Sequence, residues 1–285
     1  MKKFIIYICL PLLLAGCELG KEDTRPDVFQ KGTTLIQADI ESLLLGEDER
    51  VWPEGAYVGV FGSESGINEK YILKRAGAGL ASAEFYGPLV SGKTIAAYYP
   101  WSDTFTGRAE AMPAKLTANQ EYADTGAVAI FQKYCPTAFG GMKYGRMKFT
   151  YPFGLLRVRV ELFESLKVLR MSFSASDRAA AGSGVILSDG SLKVEGGGLK
   201  TVELDCGEGV NTVKGDGFAD FYLTLFPGEY TEANLIIYAE GEDPIVCTLR
   251  GLDIPRIDSG NFALANISVK SNDPQGFIIN EQVFD

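Results

Sequence analysis

The chain has 285 residues, close to twice the ~150 of an average domain, and its 46% hydrophobic and 22% charged residues are those of a folded protein with real cores. It contains no histidine, which excludes Ser-His-Asp and Cys-His nucleophilic systems, histidine general bases and histidine-containing zinc sites. Lys and Arg total 27 against 37 Asp and Glu, a formal charge of −10 that argues against nucleic acid and anionic lipid surfaces as partners.

Residues 1–16 read as a lipoprotein signal peptide. Lys2 and Lys3 form a basic start, 4–14 an apolar run too short for a membrane-spanning helix of ~20 residues, and Leu14-Ala15-Gly16 puts small side chains before Cys17. Cys17 is the expected lipidation site, a thiol able to carry the lipid, palmitate included, that anchors an exported chain. Loss of the leader removes two lysines and leaves the exported chain at −12. Residues 17–32 form a tether, in which Glu18-Leu19-Gly20-Lys21-Glu22-Asp23 resembles the short surface-export signal of some Gram-negative lipoproteins. The cysteines that remain beyond the anchor, Cys135, Cys206 and Cys247, are too few for a disulfide framework and are expected to be free and buried, with a Cys206–Cys247 bridge as the alternative.

Beyond the tether the pattern is β. Runs rich in β-branched and aromatic residues, each bounded by Gly, Pro, Asn or Asp, predict strands over 57–61, 71–74, 94–99, 128–131 and 147–151. They continue over 155–162, 168–173, 184–187, 192–195, 201–204, 218–226, 235–239, 245–249 and 262–269. Leu156-Arg157-Val158-Arg159-Val160 alternates most cleanly, so one face of that strand should be buried and the other wet. Helix signals are scarce, and only 38–45 has room for two turns. Strands of this number suit two β-sandwiches, 51–146 and 147–285, with Gly140, Gly141 and Gly145 interrupting the rhythm near the boundary.

Some motifs point to chemistry that the context denies. Gly87-Pro88-Leu89-Val90-Ser91-Gly92-Lys93-Thr94 fits the phosphate-loop pattern, but the residues that follow are β-branched and aromatic and end at Pro100, where a phosphate loop needs a helix; a hairpin turn is the expectation. Asp216 and Asp220 lack the oxygen-rich spacing of a calcium loop and read as a turn. Tyr98, Tyr99 and Trp101 form an aromatic group that serves either as a binding surface or as half-buried packing. No cofactor, metal site or catalytic residue is indicated, and a hydrolase would need a pair of buried carboxylates that nothing marks.

The order of several segments resembles the fimbrillin family, the fimbrillin-like and Mfa-like lipoproteins that form type V pili. Trp52-Pro53-Glu54-Gly55-Ala56-Tyr57-Val58-Gly59-Val60-Phe61 is similar to the strand that opens the family's folded body. Ala97-Tyr98-Tyr99-Pro100-Trp101 is similar to its aromatic segment, Gln120 sits where a glutamine follows a short polar run, and 149–160 is similar to a later strand, with Tyr151 in place of the usual histidine and Ala56 in place of an aspartate. The resemblance implies an all-β fold of two tandem transthyretin-like Greek-key sandwiches and a non-enzymatic role as a fimbrial subunit or adhesin at the cell surface. It also implies assembly with other pilus subunits by donor-strand exchange after a protease removes an N-terminal strand, and outer-membrane attachment through Cys17.

On this chain the removable region is 33–50. Its strand carries Thr34, Leu35, Ile36, Ala38 and Ile40 and reaches 40 or 45, and Arg50 is the candidate cleavage residue ahead of Lys31. The C-terminal Phe277-Ile278-Ile279-Asn280-Glu281-Gln282-Val283-Phe284 reads as a donor strand or as the last strand of the second sandwich. Two rival readings stay open: an uncleaved pilus anchor, and an outer-membrane lipoprotein that binds surface glycans through aromatic platforms, which would need Trp52 or Trp101 exposed.

Overall fold

The computed structural model describes residues 33–40, 52–62, 67–90, 95–124, 126–143, 146–160, 166–187, 189–212, 218–251, 254, 256–260, 265–269 and 277–279. In chain order the first strands are β1 (Thr33–Ile40), β2 (Tyr57–Gly62), β3 (Glu69–Leu73), β4 (Ser82–Pro88), β5 (Ile95–Tyr99), β6 (Met112–Leu116), β7 (Asn119–Glu121), β8 (Ala138–Lys143), β9 (Arg146–Thr150) and β10 (Gly154–Val160), with helix α1 (Gly126–Tyr134) between β7 and β8. They are followed by β11 (Lys167–Ala175), β12 (Gly182–Ile186), β13 (Leu192–Val194), β14 (Thr201–Asn211), β15 (Ala219–Leu225), β16 (Glu232–Ala239), β17 (Ile245–Arg250), β18 (Ala265–Val269) and β19 (Phe277–Ile279). The fold is all-β, as the composition of the strand runs implies.

Seven strands close into a barrel in the order β1-β4-β3-β2-β5-β8-β9. The closing strand is β1, antiparallel to β4 and parallel to β9. Where the sequence leads one to expect an open sandwich over the first half of the chain, the β1 backbone is bonded on both sides and leaves the sheet no edge. Alternation along each strand fills the interior with Val58, Val60, Tyr71, Phe85, Met147 and Phe149, packed around the indole of Trp52.

Besides a three-stranded sheet, β13-β12-β6, the rest of the chain builds two larger sheets, β15-β10-β18-β19 and β17-β16-β11-β14-β7. Their inner faces share one core, with Val158, Phe221 and Leu223 from the first sheet and Phe173, Leu235 and Ile237 from the second. In β10, Leu156, Val158 and Val160 are buried while Arg157 and Arg159 face out, the alternation legible in the sequence.

Residues between β5 and β8 cross from the barrel to this second system: β6 pairs with β12, and β7 lies parallel to β14. Gln120 of β7, only 1% exposed, fastens the crossing. Its Nε2 donates to the Thr224 carbonyl at 2.8 Å and its Oε1 accepts from the Thr224 N–H at 2.9 Å, so the side chain caps a backbone unit of β15 as another strand would.

Three expectations are corrected. The run 128–131 belongs to α1, since a short apolar stretch has no period of its own to distinguish helix from strand. Ala38 to Ile40 are strand, because the ladders to β4 and β9 override a weak helical tendency. The segment from Gly87 does not make a hairpin, because β4 and β5 are separated in the barrel by β3 and β2. Gly87 is needed for close packing: a Cβ there would lie 2.4 Å from the ring of Tyr71, whose hydroxyl donates to the Pro88 carbonyl at 2.6 Å.

Candidate functional site

The strand singled out in the sequence, β1, occupies a two-sided seat. Thr33 to Asp39 pair antiparallel with Pro88 to Ser82 of β4, and Ala38 to Ile40 pair parallel with Met147 to Phe149 of β9. Its alternation sends Ile36 (3% exposed) and Ala38 (0%) into the barrel, with Ile40 packed at the margin of the same cluster. Leu35 points outward and is 41% exposed. The backbone of Thr34 is opposite Gly87.

Trp52 is the floor of the seat. It is fully buried, its indole N–H donates to the Ala38 carbonyl at 3.3 Å, and it meets Phe85, Tyr99 and Phe149 edge-on at 4.8, 5.3 and 5.2 Å between ring centroids. Its own backbone is fixed by hydrogen bonds with Leu80 and Gly79. Near the end of β1 the Asp39 carboxylate pairs with Arg146 of β9 at 3.3 Å, and Gln37 Nε2 reaches Ser82 Oγ at 3.5 Å. The family resemblance marks β1, but this ion pair joins residues 107 apart and has no local signal. Cys17 and Arg50 lie outside the described residues, as do residues 41–45 and 280–284.

The aromatic group divides. Tyr98 is buried, so it presents no face to a ligand: its ring lies against β2 where Gly59 leaves room, a Cβ there falling 2.0 Å from the ring. The Tyr98 hydroxyl donates to the Ser102 carbonyl at 2.8 Å and accepts from Asn68 Nδ2 at 2.8 Å. Burial raises its pKa above the usual tyrosine value, with the Ser102 and Asn68 hydrogen bonds opposing the shift. Tyr99 is half-buried against Trp52, and burial raises its pKa too. Trp101 is half-buried, and the Lys70 ammonium sits over its ring at 4.4 Å and over that of Tyr57 at 3.7 Å. Trp52, whose exposure glycan binding at that segment would require, is closed off.

Cys135, Cys206 and Cys247 are free and buried. Burial pushes the Cys206 and Cys247 thiols up to about 12, so neither is an activated nucleophile. Asp220 is held by Arg159 in a two-pronged pair at 2.8 and 2.9 Å, and Asp216 lies outside the described residues. Among the described residues no group of acidic, Cys or His side chains is arranged to hold a metal ion. No helix among them is long and apolar enough to cross a membrane.

These features define an all-β chain whose first strand is the seal of a closed barrel. No family model and no curated protein matches the sequence. Among solved structures, a candidate cell adhesion protein from Bacteroides ovatus is similar with a TM-score of 0.51 at 14% identity, over 88% of this chain and 98% of that one. A candidate cell adhesion protein from Bacteroides uniformis follows at 0.47 and 14%, over 84% and 95% of the two chains. The fimbrial anchor protein Mfa2 from Porphyromonas gingivalis gives 0.41 and 13%, over 83% and 89%. The structural neighbours are thus candidate cell adhesion proteins and Porphyromonas fimbrial proteins, and at these identities the likeness is one of fold.

Proposed function

We propose that this chain is a surface-exposed fimbrial subunit or adhesin with a structural rather than catalytic role. It is exported and lipidated at Cys17, which anchors the precursor in the outer membrane, and after cleavage releases it from that lipid it joins other pilus subunits by donor-strand exchange. In this reading the barrel and the second system stand for the tandem transthyretin-like domains expected over 51–146 and 147–285, with β9 belonging to the first and β6 and β7 to the second, and cleavage after Arg50 frees 33–50. The observation that carries it is the seat of β1. A strand near the start of the chain, held by hydrogen bonds on both sides and filling the barrel with Ile36 and Ala38, leaves two unpaired ladders and an open core when it is withdrawn. A strand from another subunit with the same alternation satisfies both, which is the physics of strand addition. The similarity in fold to a candidate cell adhesion protein supports the adhesin part of this reading.

The test is the intact mass and N-terminus of the native protein taken from the cell surface, with an unheated denaturing gel of the same sample. A lipid-free chain starting at Val51, running as a ladder of heat-labile multimers, is the expected result. A chain that keeps acylated Cys17 and residues 33–50 in every surface-exposed copy, with no multimers, contradicts polymerisation by strand removal.

A further inference from the structure

The outer face of the barrel carries a row of side chains that the sequence does not reveal. Strand pairing sets Leu35 opposite Tyr86, Tyr86 opposite Ile72, and Ile72 opposite Tyr57, across β1, β4, β3 and β2. Leu35, Tyr86 and Ile72 are out of phase with the buried residues of their own strands and point away from the barrel interior, Tyr57 lies on the face of β2 that further along buries Phe61, and all four keep some exposure. The Trp101 backbone N–H donates to the Tyr57 carbonyl at 3.0 Å, and the indole, with Lys70 over it, is the next member of the row. Three strand-to-strand steps of about 4.8 Å separate Leu35 from Tyr57.

Polar groups flank the row. On one side lie Gln37 and Glu84, which pair across the strands, and Lys74, whose ammonium bonds Glu84 at 2.8 Å. On the other lies Lys70, clamped between the rings of Tyr57 and Trp101. The Lys74–Glu84 and Arg146–Asp39 charges cancel in pairs. Lys70 has no carboxylate partner among the described residues, so it offers an ammonium held only by the two rings beside the row, on a chain whose formal charge is −10.

We infer that this face is a binding site for an acidic glycan, in which a carboxylated sugar pairs with Lys70 and the apolar faces of adjoining pyranose rings lie along Tyr57, Ile72, Tyr86 and Leu35. A pyranose ring has a flat apolar face and a rim of hydroxyls, and a half-exposed aromatic and aliphatic row between polar rows complements both. Charge selects the carboxylate: an acidic group approaching the rest of this surface is repelled, and at Lys70 it meets a cation already held in place by two rings. The carboxylate comes from either a sialic acid or a uronic acid, since both present it on a pyranose. The inference is independent of strand exchange, because Tyr57, Ile72, Tyr86, Trp101 and Lys70 all lie beyond residue 51 and only Leu35 leaves with β1.

The test is binding of 3′-sialyllactose and of trigalacturonic acid to the full chain at physiological salt, by calorimetry, against lactose and the carboxyl-reduced trisaccharide as neutral partners. Polyglutamate serves as a charge-only control. One or both acidic sugars should bind at least about tenfold more tightly than their neutral partners, the difference a single charged contact makes, and which of them binds tells the two sources apart. Lys70→Gln should erase that preference, and Tyr86→Ser should weaken every sugar. Melting curves identify any variant that fails to fold, in which case Leu35→Asn, on the exposed end of the row, takes the place of Tyr86→Ser. No binding by either acidic sugar, equal binding of polyglutamate, or binding unchanged in folded Lys70 and row variants would overturn the assignment.

Discussion

The barrel and the two-sheet system that follows it end their sheets differently. In the barrel a single eight-residue strand, β1, completes both neighbours at once and supplies buried side chains to a core built on Trp52. In the second system the last strand, β19, adds to β18 on one side only, at the margin of the order β15-β10-β18-β19. Closure concentrates the integrity of a sheet in whichever strand seals it, whereas an open sheet loses only its margin when an outer strand leaves. The removable element is therefore expected in the barrel, at β1, and the second system is expected to act as the stable body that carries it.

The comparison can be broken most forcefully by deleting residues 33–50. Loss of both ladders and of Ile36 and Ala38 should melt the barrel while leaving the second system folded, seen as loss of amide exchange protection confined to β2–β5, β8 and β9. Equal loss of protection in β10–β17 would show that the two regions unfold as one. Trp52→Ala should cost about 3–5 kcal/mol through the cavity it opens, with Trp52→Phe costing less, and should raise the exchange rate of β1 first; chemical denaturation checks the magnitude. Gln120→Ala works on the other side of the comparison. It leaves the buried Thr224 N–H and carbonyl without this partner and should cost about 2–4 kcal/mol, read as faster exchange in β15 with β1 unaffected.

Alkaline titration separates the regions by chemistry. The thiols of Cys206 on β14 and Cys247 on β17 have folded values raised to about 12 from 9.0, so the folded state favours their neutral forms. The stability they confer is complete below pH 9 and is lost as pH rises through 12. Melting of the second system should fall across that window, and a Cys206→Ala, Cys247→Ala double variant should fall less. The smallest effect is expected at Asp39 and Arg146, a partly exposed pair whose coupling in a double-mutant cycle should be below about 1 kcal/mol.

Sequence alone reveals the class of fold, with β10 its most clearly alternating strand, while β1 is placed by the family resemblance and its last residues are read as a possible helix. Strands with glycine, proline or small residues, such as the Ser-Ala-Glu-Phe-Tyr-Gly-Pro of β4 and the Ala-Phe-Gly-Gly-Met-Lys of β8, escape a reading based on β-branched content. Their glycines reflect close packing, as Gly87 beneath Tyr71 illustrates. Barrel closure is also invisible, since the parallel pairing of β1 with β9 joins segments more than a hundred residues apart. The aromatic segment is legible as a motif but not as a site: only the register reveals that Tyr98 turns under cover while Tyr57 and Tyr86 align outside.

The most direct test of β1 as a separable seal is complementation in trans. A chain beginning at Val51 is mixed with a synthetic peptide of residues 31–42, and amide exchange in β4 and β9 is measured with and without peptide. The account predicts that β4 and β9 exchange freely in the trimmed chain and regain protection when the peptide is added, and that a peptide with Ile36 and Ala38 both changed to Asp has no effect. A trimmed chain whose β4 and β9 are already protected, or one that the native peptide leaves unchanged, would contradict it.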